Sequence, residues 1–190
     1  MTTPLYPTFE KRIDDATTRI VTRQVEPWLF MNQGLAVQRH DGRTIAYSGV
    51  HFDGSPRMVF WGGYIEPFLQ DLVLQELKEA RTLAKEREVN GSEVLVEVKG
   101  LLTSALHRVF AKMADVDQRL RGGGYPSQVQ LRPVEKELAQ VQAFLDRHVQ
   151  AELEMWKPRP SYEAWYDRNK FLIWAAGTFL TVVGLGMKFL

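Results

Sequence analysis

The chain has 190 residues, 45% of them hydrophobic and 25% charged, which supports one domain with its own core and excludes an intrinsically disordered polypeptide. Its 24 Lys and Arg against 23 Asp and Glu give a formal net charge of +1, so no whole-chain field recruits nucleic acid. Cysteine is absent, which removes disulfides, thiolate nucleophiles and thiolate-held metals.

Met1 to Ile13 holds Pro4, Pro7, Glu10, Lys11 and Arg12 without a long apolar run, so no secretory signal is expected and the domain is expected to remain where it is made. From Thr8 to Glu26 the apolar positions Phe9, Ile13, Ala16, Ile20 and Val25 predict a helix with one buried stripe, ended by Pro27. The next segment, with Trp28, Leu29, Phe30 and Met31, reads as a loop whose apolar residues join the core.

Residues 35 to 63 switch to strand chemistry. Three apolar runs are separated by Asp41-Gly42 and by Asp53-Gly54-Ser55-Pro56, and Asp-Gly is a strong hairpin signal because both central positions of a type I′ turn need positive φ. The expectation is a three-stranded antiparallel meander, with Gly62-Gly63 at a strand end or bulge.

Between Tyr64 and Glu88 one helix face carries Ile65, Phe68, Leu69, Leu72, Val73, Leu77, Ala80, Leu83 and Ala84. The other, with Asp71, Glu76, Lys78, Glu79, Arg81, Lys85 and Glu86, is expected to be solvated. Asn90-Gly91 closes this helix and Ser92 is a cap for the next. Residues 93–99 alternate like a strand, yet Val94, Val98, Leu101, Leu102, Ala105, Leu106, Val109, Phe110 and Met113 continue a helical stripe, which favours helix from Glu93 to Arg121.

Gly122-Gly123-Gly124 marks a break, with a linker over 122–132. Pro133 then opens an amphipathic helix over 133–157, striped by Val134, Leu138, Val141, Leu145, Val149, Leu153 and Trp156, that either packs on the domain of residues 1–121 or projects from it.

From Phe171 to Met187 the sequence FLIWAAGTFLTVVGLGM has 17 residues and no charge, the lower edge of the length a membrane-spanning helix needs. Before it, the juxtamembrane segment 158–170 and its approach gather Trp156, Lys157, Arg159, Tyr162, Trp165, Tyr166, Arg168 and Lys170, rings and cations suited to the headgroup region. The expected architecture is therefore an α+β fold, a meander packed by long helices, followed by one transmembrane helix at 171–190. The excess of Lys and Arg before the span places the N-terminal domain in the cytoplasm. Gly177, Thr181 and Gly184 align small residues on one face, where helices can approach closely and a homo-oligomer can form.

No local motif specifies chemistry. His40, His51, His107 and His148 have no metal-ligand spacing, no Walker loop accompanies the triple glycine, and no serine has a nucleophile-elbow setting, so no cofactor, metal or catalytic residue is assigned. His40 and His51 near the expected hairpin ends are the only suggestion of acid/base work, and Asp41 and Asp53 beside them belong to turns. The resulting expectation is a tail-anchored, single-pass protein with membrane lipid and an unidentified protein as partners and no nucleic acid. Its cytosolic domain acts as an interaction module, concentrated by the anchor. The alternative is a membrane-disrupting effector that oligomerises through its C-terminal helix, and a membrane-attached enzyme is the third reading.

Overall fold

Proline and short polar caps decide where the helices begin. The computed structural model describes residues 2–30, 35–38, 42–122, 133–156, 169–171 and 174. It divides into two units, residues 1–156 and 157–190. In the second, residues 169–171 and 174 are helical, and the rings of Phe171 and Trp174 are 6.3 Å apart.

Helix α1, Tyr6–Ile20, carries Pro7 in its first turn, where a missing N–H costs nothing. It buries Phe9, Ile13 and Ile20. The expected helix to Glu26 does not stay regular. Ile20 and Val25 are both buried, and a five-residue spacing is about 140° out of phase at 3.6 residues per turn. A π-helical turn over Val21–Val25 widens the winding and brings Val25 back inside. A 3₁₀ segment, Glu26–Phe30, follows and buries Trp28, which stacks on Phe60 with ring centroids 6.1 Å apart.

Strands β1, Leu35–Gln38, and β2, Thr44–Tyr47, pair antiparallel with Leu35 opposite Tyr47 and Gln38 opposite Thr44. Gly42 between them has φ +81°, the left-handed conformation that the Asp-Gly signal calls for. The three-stranded antiparallel meander is not formed, and the α+β class is overturned: the described residues are overwhelmingly helical. After the short helix α2, Val50–Asp53, the segment expected to be the third strand is helix α3, Pro56–Phe60, and a second π-helical turn, Trp61–Ile65. The reason lies in the residues read as a turn. The Ser55 hydroxyl accepts from the Arg57 N–H at 3.1 Å, and Pro56 occupies the first turn, so Ser-Pro starts a helix. Gly62 and Gly63 therefore lie in a helical turn, with neither a strand end nor a bulge.

Helix α4, Glu66–Glu86, buries Leu69, Leu72, Val73, Leu77, Ala80 and Ala84. It also buries Glu76, against the expectation that this residue is solvated. It ends in a Schellman arrangement: Val89 N–H donates to Ala84 O at 3.0 Å and Glu88 N–H to Lys85 O at 3.4 Å. Glu88 takes φ +53° at the position that glycine usually fills.

Asn90 caps helix α5, Gly91–Gly122, in place of the expected Ser92: its Oδ1 accepts from Ser92 N–H at 3.1 Å and from Ser92 Oγ at 2.7 Å. The whole stretch from Glu93 is helical, so the strand alternative over 93–99 is not taken. Val94, Leu95, Val98, Leu102, Ala105, Leu106, Val109, Phe110, Met113 and Val116 are all buried, because α5 packs against α1, α4 and helix α6, Val134–Trp156. Helix α6 lies on α4 and α5 through Val141, Leu145 and Val149. Ion pairs at its surface join Lys99 to Asp146 at 2.7 Å and Arg81 to Glu152 at 3.5 Å. The expected linker lies outside the described residues apart from Gly122, which ends α5, and the expected transmembrane segment lies outside them apart from Phe171 and Trp174.

Glu88 is exposed, so replacing it by glycine removes the left-handed strain at little cost in packing, and Glu88→Gly is expected to stabilise the chain by about 1 kcal/mol in thermal or denaturant unfolding. A loss of stability would show that Glu88 is held there by something other than backbone geometry.

Candidate functional site

Two clusters of charge lie where the apolar stripes run, and both escaped the sequence reading. The first is built on α3. Arg57 is 1% exposed; its Nε donates to Asp117 Oδ2 of α5 at 2.7 Å and one terminal nitrogen to Glu137 Oε2 of α6 at 2.5 Å. Ser55 Oγ donates to the other Asp117 oxygen at 2.6 Å. Burial alone would depress the guanidinium, and the bonds and charges of Asp117 and Glu137 outweigh it, so the Arg57 pKa is raised and the group stays charged. A cavity of about 510 Å³ adjoins the cluster, lined by Arg57, Asp117, Arg121 and Glu135 among others. Ser55 is wholly buried and its hydroxyl proton is committed to Asp117, which is itself bonded to Arg57. That arrangement positions three elements and offers no accessible nucleophile.

The second cluster joins α1 to α4. Arg12 donates to Glu76 Oε1 at 3.1 Å and to Glu79 Oε1 at 3.0 Å, with its guanidinium 6.0 Å from the Phe9 ring centroid. The Glu76 side chain is 5% exposed, and its Oε2 has no hydrogen-bond partner among the described residues. Burial pushes the Glu76 carboxyl above the usual carboxylate range; Arg12 opposes this and the charge of Glu79 adds to it. For Arg12, burial acts downward, and the carboxylates of Glu79 and Glu76 outweigh it, raising the pKa. An open groove of about 490 Å³ lies over this pair, walled by Ala16, Phe68 and Leu72 with Asp15 and Arg19 also lining it.

A signal for both clusters exists in the sequence. Asp117 falls four residues after Met113 and three before Leu120, and Glu137 three after Val134 and four before Val141. Glu76 falls four after Leu72 and four before Ala80. Each is a charge in register with a buried stripe, and such a position demands a buried partner.

Trp156, the first of the expected interfacial residues, ends α6 with its indole so close against Gly91 that a methyl group there would overlap the ring. The Lys85 ammonium sits 6.0 Å from the Trp156 ring. Lys170 is exposed in a helical stretch. Lys157, Arg159, Tyr162, Trp165, Tyr166 and Arg168 lie outside the described residues, as do Gly177, Thr181 and Gly184. So does His40, while His51 lies in α2, His107 is exposed, and His148 stacks on Phe144 with its Nδ1 2.9 Å from the Phe144 carbonyl. Among the described residues no group of His, Cys, Asp or Glu could hold a metal ion, and no helix is long and apolar enough to cross a membrane. No protein-family model, characterised protein or solved structure matches the chain.

The raised Glu76 carboxyl has a stability consequence of defined sign. Its folded form holds the proton to higher pH than its unfolded form, so the folded state is favoured by protonation and loses stability as pH rises through the folded pKa. The unfolding free energy of the wild type relative to Glu76→Gln is therefore expected to fall between the acid side of the carboxylate range and neutrality. A difference that is flat or rises over that interval would show that Arg12 dominates the carboxylate.

Proposed function

We propose that the chain is a membrane-tethered interaction module: residues 171–190 insert in a bilayer and the helical domain of residues 1–156 meets its partner at that surface. The observation that carries this reading is the uncharged run from Phe171 to Met187 with rings and cations immediately before it. A tether raises local concentration and needs no catalytic group. Buried polar clusters that satisfy and position their own elements, such as Ser55 with Arg57 and Asp117, suit a rigid platform better than a reaction centre. Small residues at Gly177, Thr181 and Gly184 support a second reading, in which several copies assemble through this segment and breach the bilayer.

The test is alkaline carbonate extraction of membranes from cells expressing the full chain or the double variant Leu180→Arg and Val183→Arg. Each arginine at mid-span costs about 2.5–3.5 kcal/mol of insertion. The wild type is expected in the pellet and the variant in the supernatant; a wild type released by carbonate removes the tether. Dye leakage from vesicles with the full chain, lost in the double variant, would replace the module by the assembling effector.

A further inference from the structure

Along the seam where α6 lies on α4, each helix carries a matching row of side chains. On α4 the row is Leu74, Lys78, Arg81 and Lys85; on α6 it is Phe144, His148, Ala151 and Met155. Both step by four, three and four residues, the spacing of one helix face. Arg81 joins the two rows, donating to Glu152 at 3.5 Å and lying 3.9 Å from Met155 Sδ. Leu74 is 43% exposed and Met155 58%, and Phe144 is half-buried. Lys78, Lys85 and Arg147 are exposed, and among the described residues no carboxylate pairs with any of the three. Arg147 borders the α6 row, three residues after Phe144 and four before Ala151. The carboxylate on this seam, Glu152, is already taken by Arg81. Apolar groups and cations are thus interleaved on one surface, the composition that suits a headgroup layer: hydrocarbon enters the acyl boundary while ammonium and guanidinium groups stay with the phosphates.

We infer that the α4–α6 seam docks the helical domain on an anionic bilayer leaflet. Lys78, Lys85 and Arg147 meet lipid headgroup anions, and Leu74 and Met155 enter between the headgroups. The end of α6 favours lipid as the occupant. Trp156 closes that helix beside Lys85, and the sequence after it continues the same chemistry with Lys157, Arg159, Trp165, Tyr166, Arg168 and Lys170 up to the uncharged run. Even fully extended, residues 157–170 reach at most about 50 Å, so this end of the domain works close to the bilayer that the run enters. A nucleic acid would satisfy the cations, but Leu74 and Met155 would gain nothing from it. The inference rests on the membrane-tether reading and adds to it the face the domain presents and the headgroup charge it selects.

Because the chain has no cysteine, Ala151→Cys on the seam and Ser104→Cys on the exposed face of α5 each offer one site for a nitroxide label. The labelled full chains are reconstituted in vesicles of phosphatidylcholine alone or in equal parts with phosphatidylserine, with a trace of nickel-chelating lipid to relax nitroxides near the headgroups. The label at 151 is expected to relax faster than the label at 104 in the phosphatidylserine vesicles. That difference is expected to vanish with phosphatidylcholine alone, and at about 1 M salt, where the Debye length is about 3 Å. Each cation beside an anionic leaflet is worth about fivefold in binding, so Lys78→Glu, Lys85→Glu and Arg147→Glu together are expected to remove it. Leu74→Ser with Met155→Ser, both at exposed positions, is expected to shrink it and keeps the test decisive should the triple variant disturb the fold. Equal relaxation at the two labels, a difference indifferent to phosphatidylserine, or one that survives both sets of substitutions would overturn the inference. Saturable binding of polyglutamate with no lipid-dependent difference would overturn it too, giving the seam to an acidic protein. Flotation reads the tether separately. A chain that floats only with phosphatidylserine vesicles removes the tether and keeps the seam, one that floats with both but shows no label difference removes the seam alone, and one that floats with neither removes both.

Discussion

A guanidinium buried in a protein interior tolerates few arrangements of its neighbours, and Arg57 sets that constraint here. Removing a charge from water costs several kcal/mol unless carboxylates and good hydrogen-bond geometry replace the lost hydration. Asp117 and Glu137 supply them from two different helices, and Ser55 completes the second oxygen of Asp117. The three helices are far apart in sequence, so one side chain fixes the position of α3 against α5 and of α6 against both. Hydrophobic burial along α5 supplies most of the driving force, but it is non-directional and would accept several registers of α6. The buried ions favour one of them.

The same economy of placement explains the irregular turns. Val21–Val25 and Trp61–Ile65 both wind as π-helical turns, and the first brings the buried Val25 into phase with the core that a regular helix would miss. Both lie next to the aromatic contacts of Trp28 with Phe60 and of Trp61 with Phe110. Helix α1 leaves this region in contact with α5, and between α1 and α4 lies the groove over Glu76. The site is thus a product of how the core is filled.

Much of this was legible in the residues. The long stripes of α4 and α6 are legible as helices because a 3.6-residue period repeats over many turns, in α5 the same period outweighs the strand-like alternation over 93–99, and Asp41-Gly42 marks the hairpin. The expected third strand gives way at Ser55-Pro56, where residues with turn chemistry serve as a cap and a first-turn proline, and the following run Met58-Val59-Phe60-Trp61 has no period that separates strand from helix. Glu76 differs from its expectation for another reason: it is a charge among charges in the sequence, yet its spacing from Leu72 and Ala80 sets it on the apolar face. Asp117 and Glu137 share that register. Periodicity reports which face a residue occupies, and a charge on the wrong face was the clue to both clusters. What joins Arg57 to Asp117 across the fold has no local signature at all.

The proposed function rests on two features in different parts of the chain: the uncharged run from Phe171 to Met187, and a helical domain whose buried ions fix its elements against one another. The rigidity of the helical domain stands on the Arg57 cluster, and equilibrium denaturation tests it most directly. Arg57→Ala is expected to cost about 3–5 kcal/mol by leaving two carboxylates buried without their cation, whereas replacing Arg57, Asp117 and Glu137 together by Met, Leu and Met is expected to restore most of that loss. A loss below about 1 kcal/mol for Arg57→Ala, the scale of an exposed ion pair, would contradict it.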